Sequence, residues 1–465
     1  MKDTARLVDA YARALVRTRL FEGTPLSAVP KVARHVLRGN PGPSTIFRIH
    51  ATIRGDQVAA VCRGRRITYQ ELDTRIDRLA AGLQRVLDIR SGHAVVLMLE
   101  NRLELLESQV ALSRLGAAAV PVSYRSRPEE LAYLLHDSEA RACITERTLL
   151  SVARSAAIHS GVLDESAIVT VGSGDAGAGV EQLEDQIAPD LNRQPLRYED
   201  LLSPEHRSRC TGQGVPFQNT DADPGRVIIY TSGTTGKPKG AVREFPRSGQ
   251  EGILRFLAEA PLRTGERHLT VCPMYHSTAY AFTSFAMLLG GTVVIKSRFD
   301  PEDVLETIMR EGIQSCALVP TMLYRLVSLP ERIRSRYDTR TLRGVFTAGA
   351  PLSGTLAREF IDSFGPVLYN LFGSTETGLN TLATPEELLR SPGTIGHPIR
   401  GNEFRLLDSG GRPVGPGEVG ELYIRNSMLV SGYHRNPEAT AASMRDGFFS
   451  VGDLARQDRH GLFHL

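Results

Sequence analysis

Residues 227–242 read V-I-I-Y-T-S-G-T-T-G-K-P-K-G-A-V, and this stretch decides how the rest of the chain is interpreted. Its first four residues are apolar, mostly β-branched, and predict a buried strand over Val227–Tyr230. The strand runs directly into a loop, residues 231–240, with four hydroxyl side chains, three glycines and two lysines. Glycines let a ligand approach the backbone, hydroxyls and backbone N–H groups bind anionic oxygens, and lysine adds positive charge. The loop therefore predicts a site for a polyphosphate.

This loop differs from the common P-loop, which needs four residues between its first glycine and a Gly-Lys-Ser/Thr run. Gly233 and Gly236 are only three positions apart, and Pro238 follows Lys237. The run instead resembles the phosphate-binding loop of the adenylate-forming enzymes, which include acyl-CoA synthetases, adenylation domains of peptide synthetases and luciferases. In that family the second lysine is fixed, so the resemblance implies that Lys239 is catalytic. It also implies cofactor contacts from Thr231, Ser232, Gly233, Thr234, Thr235 and Gly236.

A second signature covers residues 369–378, which read Y-N-L-F-G-S-T-E-T-G. A predicted strand, Val367–Leu371, delivers this polar turn at its carboxyl end, where α/β sheets bind ligands. A carboxylate beside a phosphate loop suits Mg²⁺, which proteins hold with few carboxylates together with substrate phosphates. The resemblance implies two catalytic residues, Glu376 as the Mg²⁺ ligand and Thr375 as a phosphate contact. It adds cofactor contacts from Asn370, Leu371, Phe372, Gly373 and Ser374.

The adenine contacts follow from the same resemblance. Asn370 would contact the edge of the base, and Phe372 would stack on its face. The family usually has tyrosine at position 372, and phenylalanine keeps the stacking surface while losing the hydroxyl. Two shorter segments match as well: A-G-A-P-L at 348–352, which walls the adenine and acyl pockets, and S-V-G-D-L at 450–454. They imply cofactor contacts from Gly349, Ala350 and Pro351, a pocket role for Ala348, and a ribose-binding Asp453.

Residues 273–278, P-M-Y-H-S-T, lie at a strand-to-helix junction that in the family borders the acyl pocket and the thiol channel. The implied substrate-pocket residues are Tyr275, His276, Met322 and Ala348. Peptide-synthetase domains carry an aspartate in this region for the α-amine of their substrate, whereas this chain has no acidic residue between Cys272 and Lys296. The helix predicted over Thr278–Leu289 is apolar and aromatic. We therefore expect an apolar acid as substrate rather than an amino acid.

Strands that alternate with helices along most of the chain predict βαβ units and parallel sheets. A capping box at Thr68 and Glu71 starts one helix, whose apolar residues follow at helical spacing to Val86. Further helices are predicted at Leu103–Leu115, Pro128–Leu135, Thr278–Leu289, Pro301–Glu311, Thr321–Leu329 and Gly354–Phe364. Further strands are predicted at Ala94–Leu99, Ala117–Val122, Ala142–Thr145, Ala167–Val171, Leu269–Cys272, Thr292–Lys296, Ser315–Val319 and Gly344–Thr347.

After Thr377 the pattern changes to short strands between Gly and Pro turns, at Glu403–Leu407, Glu421–Arg425 and Leu429–Tyr433. The predicted fold class is α/β: two α/β subdomains with mostly parallel sheets packed together, plus a small β-barrel-like subdomain, as in the adenylate-forming enzyme N-terminal domain. The expected division is a helical extension at 1–45, a first α/β subdomain with a loop-rich linker at 46–225, a second at 226–376 that carries the phosphate loop, and a β-rich subdomain at 377–465. The family continues with a mobile C-terminal domain of about 100 residues, which we expect to be absent.

Composition excludes several other classes of protein. The net charge of +3 is close to balance and gives no reason to expect nucleic acid. Five scattered cysteines predict neither a disulfide framework nor a metal site, and no apolar run approaches the ~20 residues of a membrane span. Residues 172–177, G-S-G-D-A-G, match the spacing of a dinucleotide fingerprint. No well-formed helix is predicted after them, so a nicotinamide site is not expected. The basic segment 1–21 predicts an amphipathic helix that packs on its own protein, with peripheral membrane contact left open.

Together these features predict ATP-dependent activation of a long- or very-long-chain fatty acid to an acyl-AMP and then an acyl-CoA. The expected small molecules are ATP, Mg²⁺ and coenzyme A, and the expected location is the cytoplasm. Three alternatives stay open: a fatty acyl-AMP ligase serving an acyl-carrier protein, an aryl-acid CoA ligase, and a non-catalytic nucleotide- or lipid-binding module. Without the C-terminal domain we expect weak adenylation and little thioester. The sequence gives no oligomeric state.

Overall fold

The computed structural model describes residues 12–19, 43–172, 194–203, 225–231, 238–244 and 247–465. Its strands are β1 Val58–Cys62, β2 Arg65–Thr68, β3 Ala94–Met98, β4 Ala118–Pro121, β5 Ala140–Glu146, β6 Ile168–Val171, β7 Leu196–Arg197, β8 Arg226–Thr231, β9 Lys239–Arg243, β10 Arg267–Thr270, β11 Thr292–Ile295, β12 Ser315–Leu318, β13 Gly344–Thr347, β14 Leu368–Ser374, β15 Gly378–Ala383, β16 His397–Pro398, β17 Glu403–Leu407, β18 Gly420–Arg425, β19 Met444–Arg445, β20 Phe448–Phe449, β21 Leu454–Gln457 and β22 Phe463–His464.

The helices are α1 Pro43–Ile53, α2 Tyr69–Leu87, α3 Leu103–Leu115, α4 Pro128–Asp137, α5 Leu150–Ser160, α6 Tyr198–Leu201, α7 Arg247–Glu259, α8 Ser277–Leu288, α9 Pro301–Glu311, α10 Pro320–Val327, α11 Glu331–Arg334, α12 Gly354–Phe364, α13 Pro385–Arg390 and α14 Pro437–Ser443. Residues 12–18 are helical as well, and two 3₁₀ helices span Arg147–Leu149 and Glu165–Ala167. Within the described residues, none of the helices is long and apolar enough to cross a membrane.

Local signals explain several of these helices. The Thr68 hydroxyl accepts from the backbone N–H of Glu71, whose carboxylate accepts from the backbone N–H of Thr68, so the predicted capping box is confirmed. Helix α9 begins after Asp300, whose carboxylate accepts from two backbone N–H groups of the first turn. It ends at Gly312, which takes the left-handed conformation with φ of 60°.

The first sheet has seven strands in the order β7-β6-β5-β3-β4-β8-β9. All neighbours pair in parallel except β8 and β9, which form an antiparallel hairpin at the edge. Strands β3 and β4 are buried along their whole length, as expected for a parallel sheet covered by helices. The hairpin carries the predicted phosphate loop between its two strands.

The second sheet has nine strands in the order β16-β15-β14-β13-β12-β10-β11-β1-β2. Strands β10 to β14 pair in parallel, so their carboxyl ends meet at one edge of the sheet. Because β14 then turns back into the antiparallel strand β15, the Gly-Ser-Thr-Glu turn lies at that same edge. This is where open α/β sheets bind ligands.

The two large sheets share one apolar core, which contains Leu97 and Ala119 of the first sheet together with Ala59 and Val293 of the second. Asn101, 3% exposed, links them further. Its amide nitrogen donates to the carbonyl of Cys272 at 2.8 Å, and its amide oxygen accepts from the N–H of Met274 at 2.7 Å. The loop between β10 and α8 is therefore fixed from the first sheet.

The third sheet is antiparallel, with the order β19-β20-β18-β21-β22 and with β17 paired to β18. The predicted α/β class, with two mostly parallel sheets and a separate antiparallel sheet, is confirmed. This antiparallel sheet is the predicted small β-rich part of the chain. The strand expected at Leu429–Tyr433 is wrong, because Tyr433 makes a single isolated bridge to Ala241 of β9.

The sheets do not follow the expected division of the chain. Strands β1 and β2 lie before residue 225 but join the second sheet, whereas β8 and β9 lie after it and join the first. Strands β15 and β16 follow residue 377 and also belong to the second sheet. Strand pairing between distant segments thus decides sheet membership, and the division into subdomains at 225 and 376 stays a prediction. Most of the segment 1–45 and of the glycine run at 172–177 lies outside the described residues.

Candidate active site

The β8–β9 hairpin places Thr231 and Lys239 opposite each other at the two ends of the predicted phosphate loop. Thr231 Oγ1 lies 3.4 Å from the carbonyl oxygen of Lys239 and 3.2 Å from Glu376 Oε1. The ends of the loop therefore meet the Gly-Ser-Thr-Glu turn of the second sheet. The middle of the loop lies outside the described residues, so these expected contacts stay predictions: Ser232, Gly233, Thr234, Thr235 and Gly236.

Glu376 is the centre of the site and is 6% exposed. Its Oε1 lies 3.2 Å from the hydroxyl of Thr231 and 3.2 Å from the hydroxyl of Tyr433, each of which can donate to it. The backbone carbonyl of Glu376 accepts from the N–H of Val430 at 2.9 Å. Side chain and backbone are thus both held, and the carboxylate is fixed in direction.

The turn before Glu376 is closed by a hydroxyl and by a glycine. Ser374 Oγ accepts from the backbone N–H groups of Glu376 at 3.2 Å and of Thr377 at 3.0 Å. A Cβ atom on Gly373 would lie 2.1 Å from the carbonyl oxygen of Gly378, a separation that no side chain tolerates. The tight pairing of β14 with β15 therefore requires glycine at 373.

Lys239 and Tyr433 complete a group that we call the Glu376 cluster: Thr231, Lys239, Glu376 and Tyr433. The Lys239 ammonium lies 5.3 Å from the centre of the Tyr433 ring, which is within the range of a cation–π contact. Burial, and next the charge of Glu376, raise the pKa of Tyr433 to about 12. The phenol therefore stays protonated near neutral pH and remains a donor to Glu376.

Asp453 lies close enough to this cluster to sense its charge. Burial, and next the negative charge of Glu376, raise the pKa of Asp453 above its ordinary value. It belongs to the segment before β21, whose Gly452 has a φ of 87°, in the left-handed region that favours glycine. An arriving cation would relieve this repulsion between the two carboxyl groups.

The donors present at this site fit Mg²⁺. In the described part of the chain, no group of three or more His, Cys, Asp or Glu side chains could hold a metal ion by itself. Glu376 supplies one well-held carboxylate. Because Mg²⁺ is usually bound by one or two protein carboxylates with waters and substrate phosphates, a single carboxylate beside a phosphate loop suffices.

A cavity of about 370 Å³ opens beside the cluster, and we call it the apolar cavity. Three helices supply most of its wall: Thr45, Ile46 and Ile49 from α1, Gln250, Ile253 and Leu254 from α7, and Ser277, Thr278, Tyr280, Ala281, Phe282, Ser284, Phe285 and Leu288 from α8. Gly373, Ser374 and Gly378 line it at the cluster. Thr375 Oγ1 lies 3.4 Å from Ser277 Oγ. The first turn of α8, which lines the cavity, therefore contacts the Gly-Ser-Thr-Glu turn.

Most of the sequence that forms the cavity and the cluster matches a known protein family. The AMP-binding enzyme family matches residues 47–434. The chain belongs to this family. The match covers both large sheets and ends just after the Glu376 cluster.

Relatives of this AMP-binding enzyme include CoA synthases and ligases that are named for different acids. A feruloyl-CoA synthase of Amycolatopsis sp is 32% identical over 404 residues, covering 86% of this chain and 73% of the relative. A medium/long-chain-fatty-acid–CoA ligase, FadD8, of Mycobacterium tuberculosis is 28% identical over 404 residues, covering 86% of this chain and 66% of the relative. The first is named for feruloyl-CoA and the second for medium- and long-chain fatty acids.

A solved structure supports the fold. The crystal structure of the anthranilate CoA ligase AuaEII in complex with anthranoyl-AMP superposes with a TM-score of 0.78, at 22% identity, covering 91% of this chain and 77% of that chain. This likeness concerns the fold of the AMP-binding enzyme. Adenylate-forming CoA ligase chemistry is the activity that the family and these relatives support.

In this AMP-binding enzyme the residues expected to contact nucleotide differ in how far they are exposed. Gly349, Ala350 and Pro351 are exposed at the carboxyl end of β13 and form an open wall. Asn370 is 4% exposed and donates its amide to the carbonyl of Thr394 at 2.9 Å, so it points into the protein. Phe372 is half-buried and packs against an apolar cluster of the third sheet. Their nucleotide contacts stay predictions.

Of the four residues expected in the substrate pocket, Ala348 lines the apolar cavity and the other three do not. Tyr275 stacks edge-on against Tyr124, with ring centres 6.1 Å apart, and lies 4.3 Å from the ring of His276. Met322 lies in the core, its sulfur 3.7 Å from that of Cys272. Their roles in a substrate pocket therefore stay predictions.

The sequence reasoning missed Tyr433 and Arg243. Tyr433 was assigned to a strand, and nothing in its sequence context points to Glu376, 57 positions away. Arg243 could have been found, because Lys239, Ala241 and Arg243 alternate along β9 and must share one face of the strand. Its side chain lines the apolar cavity.

Proposed function

We propose that this AMP-binding enzyme activates an apolar carboxylic acid, in the first place a fatty acid, to its acyl-adenylate and transfers the acyl group to coenzyme A. The observation that carries the proposal is the apolar cavity, which opens at Ser277 and Ser374 directly beside the Glu376 cluster. An acid whose apolar part fills the cavity would present its carboxylate to that cluster.

The chemistry needs no protein nucleophile. A carboxylate oxygen of the acid attacks the α-phosphorus of ATP, and the bond from that phosphorus to the oxygen of the β-phosphate breaks. Pyrophosphate leaves and acyl-AMP remains. The sulfur of coenzyme A then attacks the carbonyl carbon, AMP leaves with the electron pair of the carbon–oxygen bond, and the thiol proton passes to solvent.

The residues of the site would act through position and charge, which dominate catalysis in phosphoryl-transfer reactions. Lys239 would place its ammonium against phosphate oxygens, held by the Tyr433 ring. Thr375 would contact phosphate, and Asp453 would bind the ribose hydroxyls. Mg²⁺ held by Glu376 would supply charge neutralisation on the phosphates.

The size of the cavity bears on the acid. Its volume of about 370 Å³ is near the lower end of the ~300–1,000 Å³ typical of small-molecule pockets. A medium-length chain would fit inside, and a long or very long chain would extend through the open side. An aryl acid is the second candidate, favoured by the aromatic side chains Tyr280, Phe282 and Phe285 in the wall and by the feruloyl-CoA synthase relative.

The test is pyrophosphate release from Mg-ATP across a panel of acids: acetate, octanoate, palmitate, a C24 acid, benzoate, ferulate and phenylalanine. We expect release with the apolar acids, none with phenylalanine, and loss of release in a Glu376→Gln variant. A thioester assay with free coenzyme A then distinguishes a CoA ligase from an acyl-AMP ligase that serves a carrier protein.

Two outcomes would contradict the proposal. Release with phenylalanine alone would make this an amino-acid adenylating enzyme despite its apolar cavity. ATP binding without release for every acid would favour a nucleotide-binding module. A preference for ferulate or benzoate over octanoate and palmitate would replace the fatty acid by the aryl acid and leave the adenylation mechanism in place.

A further inference from the structure

Arg243 is the one cationic side chain among the described residues that line the apolar cavity. It is the last residue of β9 and lies on the same face of the hairpin as Lys239. Strand β9 therefore places Lys239 at the phosphate loop and Arg243 at the apolar cavity.

The partners of Arg243 are neutral. Its Nη1 donates to the carbonyl of Met428 at 2.9 Å, and its Nη2 donates to the carbonyl of Thr375. A guanidinium has five N–H donors, so these two bonds leave donor capacity toward the cavity. No carboxylate of the described residues lies within 4.0 Å of this guanidinium, and Glu244, which also lines the cavity, pairs with Arg226 at 3.8 Å.

Burial of this charge is costly without an anion. Desolvation lowers the pKa of Arg243 to about 10, although the charge of Glu376 opposes that effect. The side chain stays cationic at neutral pH. A cation that is poorly hydrated, and that bonds only to carbonyls, gains most from an incoming carboxylate, which a guanidinium can bind through two parallel hydrogen bonds.

The position of Arg243 matches the place where the reacting group of the acid must lie. It bonds to the carbonyl of Thr375, next to Glu376, at the end of the cavity where Ser277 and Ser374 meet the cluster. Helix α1, which supplies Ile46 and Ile49 to the wall, contacts the opposite end of α8, where His50 Nε2 lies 3.0 Å from the carbonyl oxygen of Leu288. An apolar acid therefore has one energetically favourable orientation, with its carboxylate at Arg243.

We propose that Arg243 binds the carboxylate of the acid inside the apolar cavity before adenylation, and so selects ionised acids over neutral analogues of the same shape. The inference rests on the proposed function, since it assigns a residue of the same site. Arg243 is then a substrate-binding residue, while its bonds to Thr375 and Met428 hold the guanidinium at the mouth of the cavity.

The test is calorimetric binding of two matched pairs, octanoate with octanamide and benzoate with benzamide, to wild-type protein and to Arg243→Met and Arg243→Lys variants. Each amide keeps the shape of its acid and lacks the charge. For the acid that wild type binds, we expect Arg243→Met to lower affinity about 10- to 100-fold, as for a lost hydrogen bond to a charged group. The affinity for the matching amide should change by less than about twofold. The affinity of Arg243→Lys for the acid should lie between those of wild type and Arg243→Met, because lysine keeps the charge but lacks the planar pair of N–H donors.

Arg340→Met is the control, because it removes an exposed cation that pairs with Asp338 outside the cavity wall. It should leave both pairs unchanged. Equal weakening of acid and amide by Arg243→Met would show that Arg243 only shapes the cavity, and no change in either would show that it does not bind the acid. Either result overturns the assignment while pyrophosphate release by wild type still supports the proposed function. Absence of acid binding to wild type, together with no pyrophosphate release, would overturn both.

Discussion

The Glu376 cluster and the apolar cavity meet at Ser277 and Ser374, yet they are built in opposite ways. The cluster is held by directional bonds: Glu376 Oε1 lies 3.2 Å from each of two hydroxyls. The cavity is outlined by apolar side chains of three helices. Directional bonds need particular side chains, whereas an apolar wall needs only the right volume. Substitutions in the cluster should therefore affect every acid alike, and substitutions in the cavity should change which acid is used.

The largest effect should come from Glu376→Gln. Glutamine keeps the shape and an acceptor for Thr231 and Tyr433 but removes the negative charge that would hold Mg²⁺. We expect kcat/KM for pyrophosphate release to fall about 100- to 1,000-fold with every acid, as for other lost electrostatic contacts at a reacting phosphate.

Glu306→Gln is the control for that variant. Its carboxylate is exposed, pairs with Arg310 on helix α9 and lies outside the cavity wall. Exposed ion pairs contribute little, so the rate should stay within about twofold. A loss in Glu376→Gln that differed strongly from one acid to another would contradict the separation of chemistry from acid selection.

A smaller and selective effect should follow from Ile49→Trp. Ile49 faces the cavity from α1, and a larger side chain there would shorten the space for the acid. We expect kcat/KM for the longest acid that wild type accepts to fall about 10- to 100-fold, because chain-length discrimination in apolar pockets has this size. Acetate should change by less than about twofold. Pyrophosphate release across the acid panel is the measurement.

Two further variants sharpen this result. Ile49→Ala should shift the preference toward longer acids, since it enlarges the cavity. Thr52→Val changes an exposed residue of the same helix and should leave the preference as it is. If Ile49→Trp lowered the rate with all acids by one factor, the cavity would not be the acid site.

The smallest effect concerns how α7, one wall of the cavity, is held. His397 lies 3.4 Å from a carboxylate oxygen of Glu259, the last residue of α7, and 2.9 Å from one of Glu387. Hydrogen bonds to Glu259 first, and to Glu387 next, raise the pKa of His397 to about 10. The protonated His397 therefore stabilises the folded state. This contribution is complete below the pKa of histidine in the unfolded state, about 6.5, and is lost as pH rises through the pKa of His397 in the folded state.

We therefore expect His397→Asn to lower the unfolding midpoint by about 1–3 °C at pH 6, with the difference shrinking above pH 6.5 and vanishing above about pH 10. Thermal unfolding from pH 6 to pH 10.5 measures it. The exposed His460, changed to Asn, should show no such trend. A difference that grew with pH would contradict the ion-pair account, and pyrophosphate release at neutral pH should be the same for all three proteins.

The sequence predicted much of the local structure. Helices Leu103–Leu115, Pro301–Glu311 and Gly354–Phe364, and strands Gly344–Thr347 and Glu403–Leu407, have the predicted bounds. These elements are marked by signals within a few residues of each end, such as the Asp300 cap and the Gly312 stop. The residue types and spacing of Thr231, Lys239 and Glu376 predicted a phosphate site, and the structure brings these residues together, while phosphate binding stays a prediction.

Other features depended on contacts between distant segments. The hairpin β1–β2 joins the second sheet because β1 pairs with β11, and the hairpin β8–β9 joins the first sheet because β8 pairs with β4. The positions of these hairpins in the chain did not suggest either pairing. Tyr433 reached Glu376 through a bridge to Ala241. A strand pattern records which face is buried and not which strand will be its neighbour.

The sequence by itself determined the chemistry: a strand, a loop of hydroxyls and glycines, a lysine, and a carboxylate at the end of a second strand. Tertiary structure alone decided the size and lining of the apolar cavity, which we propose as the acid site. The apolar cavity is a space left between α1, α7 and α8, and Arg243 acquires its significance from facing that space. A cavity has no sequence pattern, because its outline depends on how far three separately encoded helices approach one another, and that distance is set by packing across the whole core.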